Sequence, residues 1–222
     1  GRMKRRTFVA TVVALLGIAP GVALADDAED FLAAAQRNDS SRIFTLLLRG
    51  FDPNTVNAKG DTALLVAVRH GAFKAIDALL ADPRTQVETR NKADESPLML
   101  AALKGYLGVA KQLIARDADV NKPGWAPLHY AATKGDIPMI ELLLENDAYI
   151  DAESPNGTTP LMMAAQYGTP EAAKALLDAG ADASIKNGLG LTAIDFANRV
   201  NRDELAIMIA GALRAKQPKG TW

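Results

Sequence analysis

Catalysis in a chain of this size needs a general base, a nucleophile, a metal or a bound cofactor, and the residue types for each can be sought directly. His70 and His129 are the two histidines, and they stand far apart in sequence. Cysteine is absent, which removes a thiol nucleophile, a thiolate metal site and any disulfide framework. Without cysteine, and with no His–carboxylate cluster of ligand spacing, zinc has no sequence-level site. Gly188-Leu189-Gly190 is too short for a dinucleotide fingerprint, and no Walker-type phosphate loop or G-x-S-x-G elbow occurs. The plentiful carboxylates fall at loop and helix-face positions where solvated surface accounts for them. The expectation is a protein with no catalytic, cofactor-binding or metal residues. The remaining residues with surface chemistry are Arg69, His70, Trp125 and Tyr167, suited to contact rather than catalysis.

Composition supports a folded chain with a protein surface of ordinary charge. Of 222 residues, 49% are hydrophobic and 23% charged, with a formal net charge of −1. That is far from the low-hydrophobicity, high-charge composition of disordered chains. It also lacks the basic excess expected of a nucleic-acid binder.

The elements that carry these residues recur. Five segments share one skeleton: Thr62-Ala63-Leu64-Leu65-Val66-Ala67, Ser96-Pro97-Leu98-Met99-Leu100-Ala101, Ala126-Pro127-Leu128-His129-Tyr130-Ala131, Thr159-Pro160-Leu161-Met162-Met163-Ala164 and Thr192-Ala193-Ile194-Asp195-Phe196-Ala197. Their first residues, at 62, 96, 126, 159 and 192, are 34, 30, 33 and 33 residues apart. A Gly and a second apolar-periodic stretch ending in a Leu/Ile pair follow most of them, as from Gly135 to Leu142-Leu143. Apolar residues at i, i+3, i+4 and i+7 predict two amphipathic helices per unit. Thr or Ser ahead of Pro supplies an N-cap before a first-turn proline. The Gly predicts a tight left-handed turn between the helices. Gly50 and Gly180 are expected to end second helices, with Asp117 and Asp147 at the equivalent place in two other units. Asn156-Gly157 and Asn187-Gly188 predict turns between units.

These residues resemble the ankyrin repeat. Ala126-Pro127-Leu128-His129-Tyr130-Ala131-Ala132 with Gly135 matches the first half of its pattern, and Leu176-Leu177-Asp178-Ala179-Gly180-Ala181-Asp182 the second half. The resemblance covers roughly residues 28–213. It implies an all-α fold, an ankyrin-repeat solenoid of about six helix-turn-helix units, end caps included, joined by short hairpin loops. Ala28 to Gln36 and Ser41 to Arg49 read as the first capping unit, and Val200 to Ala215 closes the other end. His129 would hydrogen-bond backbone of a neighbouring loop, as the family's histidine does.

The resemblance further implies binding of another protein through the concave face of the first helices and the hairpin tips. Carried over by position, the outward pairs before each helix-turn Gly are Arg69-His70, Leu103-Lys104, Thr133-Lys134 and Gln166-Tyr167. The loop-tip positions are Lys59 and Asp61, Lys92 and Glu95, Trp125, Asn156 and Thr158, then Leu189 and Leu191. One unit departs from the rest. Val87 to Ser96 and Ile150 to Thr159 span nine steps but Val120 to Ala126 only six, so the loop holding Trp125 and Pro123 is three residues short. Trp125 is either an exposed contact or a filler of the space left by that loop, and its solvent exposure separates the two.

The first 25 residues are of another kind. Met3-Lys4-Arg5-Arg6 is a basic head, Thr7 to Ala19 an apolar run, and Ala23-Leu24-Ala25 a small-residue motif before Asp26. That pattern predicts a secretory signal peptide cleaved after Ala25, with Gly1-Arg2 ahead of Met3 read as extraneous residues. The run is shorter than the ~20 residues of a membrane span, so no membrane association is expected after cleavage. Residues 26–216 would form the array and 217–222 a short tail. A cysteine-free exported chain suits an oxidising compartment, and the bacterial style of the leader points to the periplasm. The expected partner is a secreted toxin or a resident periplasmic enzyme, which the protein would inhibit, protect or stabilise. An enzyme on a repeat scaffold, or a purely structural or oligomeric role, is the alternative.

Overall fold

The computed structural model describes residues 20–219, with side chains described from residue 25 onward. Twelve helices and no strand occur among the described residues. They pair as six helix-turn-helix units: α1 (Pro20–Gln36) with α2 (Ser40–Leu48), α3 (Ala63–His70) with α4 (Phe73–Ala81), α5 (Pro97–Lys104) with α6 (Leu107–Ala115), α7 (Pro127–Lys134) with α8 (Ile137–Glu145), α9 (Pro160–Tyr167) with α10 (Pro170–Asp178), and α11 (Ala193–Arg199) with α12 (Asp203–Ala215). First helices pack on first helices in the order α1, α3, α5, α7, α9, α11, and the second helices form an outer layer behind them. No helix of the described residues is long and apolar enough to cross a membrane.

Local chemistry explains why each first helix starts where it does. The side-chain oxygens of Thr62, Ser96, Thr159 and Thr192 accept hydrogen bonds from the amides of Leu65, Met99, Met162 and Asp195, satisfying donors that a helix start leaves free. Pro97, Pro127 and Pro160 occupy first-turn positions where no amide is needed. The core is a ladder of repeat positions. Leu64, Leu98, Leu128 and Leu161 are at most 1% exposed, and Ala67, Ala101, Ala131, Ala164 and Ala197 are wholly buried. Alanine lets neighbouring first helices approach closely, so a larger residue at these positions would overpack the stack by about 1–3 kcal/mol.

Three details correct the sequence expectations. The predicted helix at Ala28 to Gln36 is longer, because α1 begins at Pro20 and runs through the predicted cleavage point after Ala25. The rest of the predicted leader lies outside the described residues. Gly71, Gly105 and Gly135 take left-handed backbone as expected, but Gly168 is extended (φ −83°). Pro170 opens the next helix and holds Thr169 in extended backbone, which alters the turn. Gly168 is needed for closeness instead: a Cβ there would overlap the carbonyl oxygen of Ala132. In the last hairpin Gly190, rather than Gly188, carries the positive φ. Asp117 and Asp147 are left-handed at the ends of α6 and α8, as the pattern predicts.

Candidate functional site

Hairpin tips and the C-terminal ends of the first helices enclose two recesses of similar size, one crossed by an ion-pair network and one walled by aromatic rings. The first, about 530 Å³, lies between loops 58–61 and 91–95 and is lined by Lys59, Asp61, Arg69, Asn91, Lys92 and Glu95. The second, about 520 Å³, is lined by Trp125, Met163, Tyr167, Leu189, Phe196 and Val200, with Asn156, Thr158, Gln166, Asn187 and Arg199 among them.

The polar recess is occupied with its own bonds. Arg69 donates to both carboxylate oxygens of Asp61 at 2.9 and 3.0 Å, and its second amino group stands 3.5 Å from Glu95. Asn91 bridges the acids, donating to Asp61 at 2.8 Å and Glu95 at 2.9 Å. The Arg69 guanidinium holds the Asp61 carboxyl below its ordinary range against the opposing effect of burial, and Asn91 adds to the lowering. Asp61 is thereby a correction: it is buried and braces two loops, so it is not a free tip. His70 is exposed beside this recess and shares a smaller one with Gln36, Lys59 and Arg69.

Thr158 is a second correction. It is 2% exposed, its carbonyl accepts from the His129 ring at 2.8 Å and its hydroxyl from Asn187 at 3.3 Å. His129 is also buried, and its Nδ1 accepts from the amide of Ala126 at 3.0 Å. That leaves the proton on Nε2, directed at Thr158, and burial pushes the imidazole below its ordinary value of 6.5. His129 thus staples its helix start to the next loop and replaces the hydroxyl cap that Ala126 lacks.

The remaining positions divide by exposure. Lys59, Lys92, Leu103, Lys104, Lys134, Asn156 and Tyr167 are exposed, whereas Glu95, Thr133 and Gln166 are partly buried. The Thr133 hydroxyl is turned back to the carbonyl of His129 at 2.8 Å. Trp125 stands between the two alternatives offered for it. It is half-buried, packing edge-on against His129 with ring centroids 5.2 Å apart, and its remaining surface lines the second recess.

Met163, Phe196, Arg199 and Val200 line the same recess and were not singled out from sequence. A signal for two of them existed. Arg199-Val200 is the outward pair of the sixth unit, but Asn201 (φ 57°) stands where the four preceding units have Gly and hides the match.

A family model described as ankyrin repeats (3 copies) matches residues 31–123 and 121–187. The chain belongs to the ankyrin-repeat family. Among curated relatives, the ankyrin array is 33% identical over 149 residues to the nuclear factor NF-kappa-B p105 subunit of Gallus gallus, covering 64% of this chain and 15% of that protein. It is 27% identical over 194 residues to YahD of Escherichia coli (strain K12), whose name describes an ankyrin repeat protein, covering 68% of this chain and 96% of YahD. The chain therefore spans a small part of the first relative and nearly all of the second. A chain in the solved complex of the predatory endopeptidase Bd0816 with the immunity protein Bd3460, from Bdellovibrio bacteriovorus, is 27% identical. The similarity has a TM-score of 0.73 and covers 85% of this chain and 98% of that one.

Proposed function

We propose that this ankyrin array is an exported binding module that seats a partner protein on its hairpin tips and first-helix ends and thereby restrains or protects it. The observation that carries this reading is the second recess. Tyr167 is 56% exposed, Leu189 74% and Val200 38%, and they stand together beside half-buried Trp125 and exposed Arg199. Contiguous apolar and aromatic surface on a folded domain, rimmed by amides and a cation, is the composition of a protein contact. The role is binding rather than catalysis, since both histidines and the acids of the polar recess are accounted for by structural bonds or exposure. Likeness to a chain from an endopeptidase–immunity complex favours an enzyme as the partner, with inhibition as the effect. The periplasm is the proposed compartment, reached by cleavage after Ala25.

The cations along the tips and first-helix ends narrow the partner's chemistry. Lys59, Lys92, Lys104, Lys134 and Arg199 form none of the ion pairs among the described residues, whereas Asp61 and Glu95 are engaged by Arg69. A partner segment with an apolar side chain flanked by carboxylates complements this surface. The test is capture from periplasmic extract with the mature protein and with Trp125→Ala plus Tyr167→Ala. The captured enzyme is then assayed with and without the array. Capture that survives the double substitution, or an enzyme whose activity and stability the array leaves unchanged, would overturn the reading. Mass determination of the exported chain, expected to start at Asp26, tests the compartment separately.

A further inference from the structure

Lys122 is the least expected residue of the array. Its side chain is completely buried, yet it carries an ammonium, and burying a charge is costly unless every donor is met. Here all three are met: Nζ donates to Asp94 at 2.6 Å and to the carbonyls of Pro123 and Trp125 at 3.2 Å each. Asp94 belongs to the preceding hairpin, so the bond crosses between units.

The other hairpins show what this ammonium replaces. Asn57 accepts from the amides of Lys59 and Asp61, Asn91 from Ala93 and Glu95, and Asn187 from Leu189 and Leu191. Ser154 does the same for Thr158. Each is an acceptor that ties down the amides of its own loop. In the short loop the polarity is reversed, because Lys122 is a donor that ties down carbonyls.

The neighbouring tips change with it. Lys92 donates its amide to the carbonyl of Lys59 at 3.0 Å, and Gly188 to Asn156 at 2.7 Å, stitching successive hairpins. No such backbone bond reaches the Trp125 loop from either side among the described residues. Pro155 stands in the following loop where Lys92 and Gly188 stand in theirs, and a proline has no amide to give. The tip row is therefore interrupted at this unit, with Trp125 as the aromatic wall of the gap.

We propose that Lys122 is a positioning residue for binding: its buried ammonium, anchored on Asp94, fixes the Trp125 backbone so that the indole stands half-buried as a wall of the second recess. The use of that wall by a partner rests on the function proposed above, whereas the positioning itself does not. The chain has two tryptophans, so a Trp222→Phe background leaves Trp125 as the sole indole reporter. Lys122→Met keeps the buried stem and deletes the ammonium. Asp94→Gly deletes the other end of the bond at an exposed side chain, and suits the left-handed backbone there (φ 59°), which Gly60, Gly157 and Gly190 also adopt in their hairpins.

In a folded Lys122→Met protein, Trp125 emission shifts to the red and the acrylamide quenching constant roughly doubles as the indole gains water, while helical circular dichroism is retained. Asp94→Gly produces the same change and decides the matter where Lys122→Met does not fold. Unchanged emission and quenching in the deciding variant would overturn the positioning role even if its Tm fell. Altered Trp125 optics with undiminished partner capture would leave the positioning role standing and instead remove Trp125 from the binding surface.

Discussion

The two recesses are built from the same repeat positions, and they differ in what those positions already hold. Asp61 and Trp125 both stand immediately before a helix N-cap, and Arg69 and Thr133 both stand seven residues after it. In the second unit these positions form a bidentate ion pair closed by Asn91 and Glu95. In the fourth they form an indole packed on a buried imidazole, with a threonine turned back into its own helix. A partner reaching the first recess must displace bonds already made, which returns little net energy. A partner covering the second removes the exposed faces of Trp125, Tyr167, Leu189 and Val200 from water, at about 25 cal/mol per Å² of apolar area, and displaces no ion pair found among the described residues. Similar volumes and equivalent positions thus give a bonded, stabilising site at the second and third units and, at the fourth to sixth, the site proposed here for binding.

The sharpest way to break that contrast is alanine at each end. Trp125→Ala is expected to weaken partner binding by about 2–4 kcal/mol, with a much smaller effect on unfolding. Asp61→Ala should do the reverse. It removes the bidentate acceptor of Arg69 and one of the two acceptors of Asn91, leaving only Glu95, and costs about 1–3 kcal/mol of stability in denaturant titration, with affinity retained below the unfolding transition. Loss of affinity in a fully folded Asp61→Ala protein would erase the distinction.

pH separates the ends more gently. Burial depresses the His129 imidazole in the fold, so the unfolded chain binds the proton more readily. The stability associated with neutral His129 is complete above the ordinary value of 6.5 and declines as pH falls below it towards the lower folded value. Tm measured across that range should drop on acidification, and His129→Gln should flatten the slope. Asp61 is also depressed, but its contribution is present above the ordinary carboxyl value of 3.8 and is lost only as pH falls through a lower one. The His129 staple in the fourth unit should therefore weaken before the Asp61 bonds in the second. The smallest effect is expected from Lys59→Glu: an exposed rim charge should shift affinity by about 1 kcal/mol or less, chiefly through a salt-sensitive association rate.

The six-unit architecture was legible because its grammar is local. Thr-Pro starts, buried leucines and alanines and helix-turn glycines each fix one feature by short-range chemistry, and His129 kept the role its motif implies. The site was legible only where it followed that grammar. Tyr167, Gln166 and Trp125 came from repeat positions and do share one recess. Asp61 and Thr158 occupy tip positions in sequence but turn inward, because partners supplied by other units (Asn91, Asn187, His129) claim their polar atoms. Arg199 and Val200 were hidden by an asparagine that takes the left-handed conformation of the missing glycine. Lys122 could not be foreseen, since a lone lysine in a loop reads as solvated surface until the loop closes over it.

The interruption at Trp125 has a consequence for recognition along the array. A row of near-identical hairpins offers a partner several almost equivalent frames, each offset by one unit. The short loop abolishes that degeneracy. A partner whose apolar anchor slipped one unit towards the N-terminus would place it against Glu95, and two units against the Asp61–Arg69 pair, where it would leave charges desolvated. For a partner seated on this face as proposed, three missing residues would act as a phase mark, setting where along the solenoid a bound chain must begin.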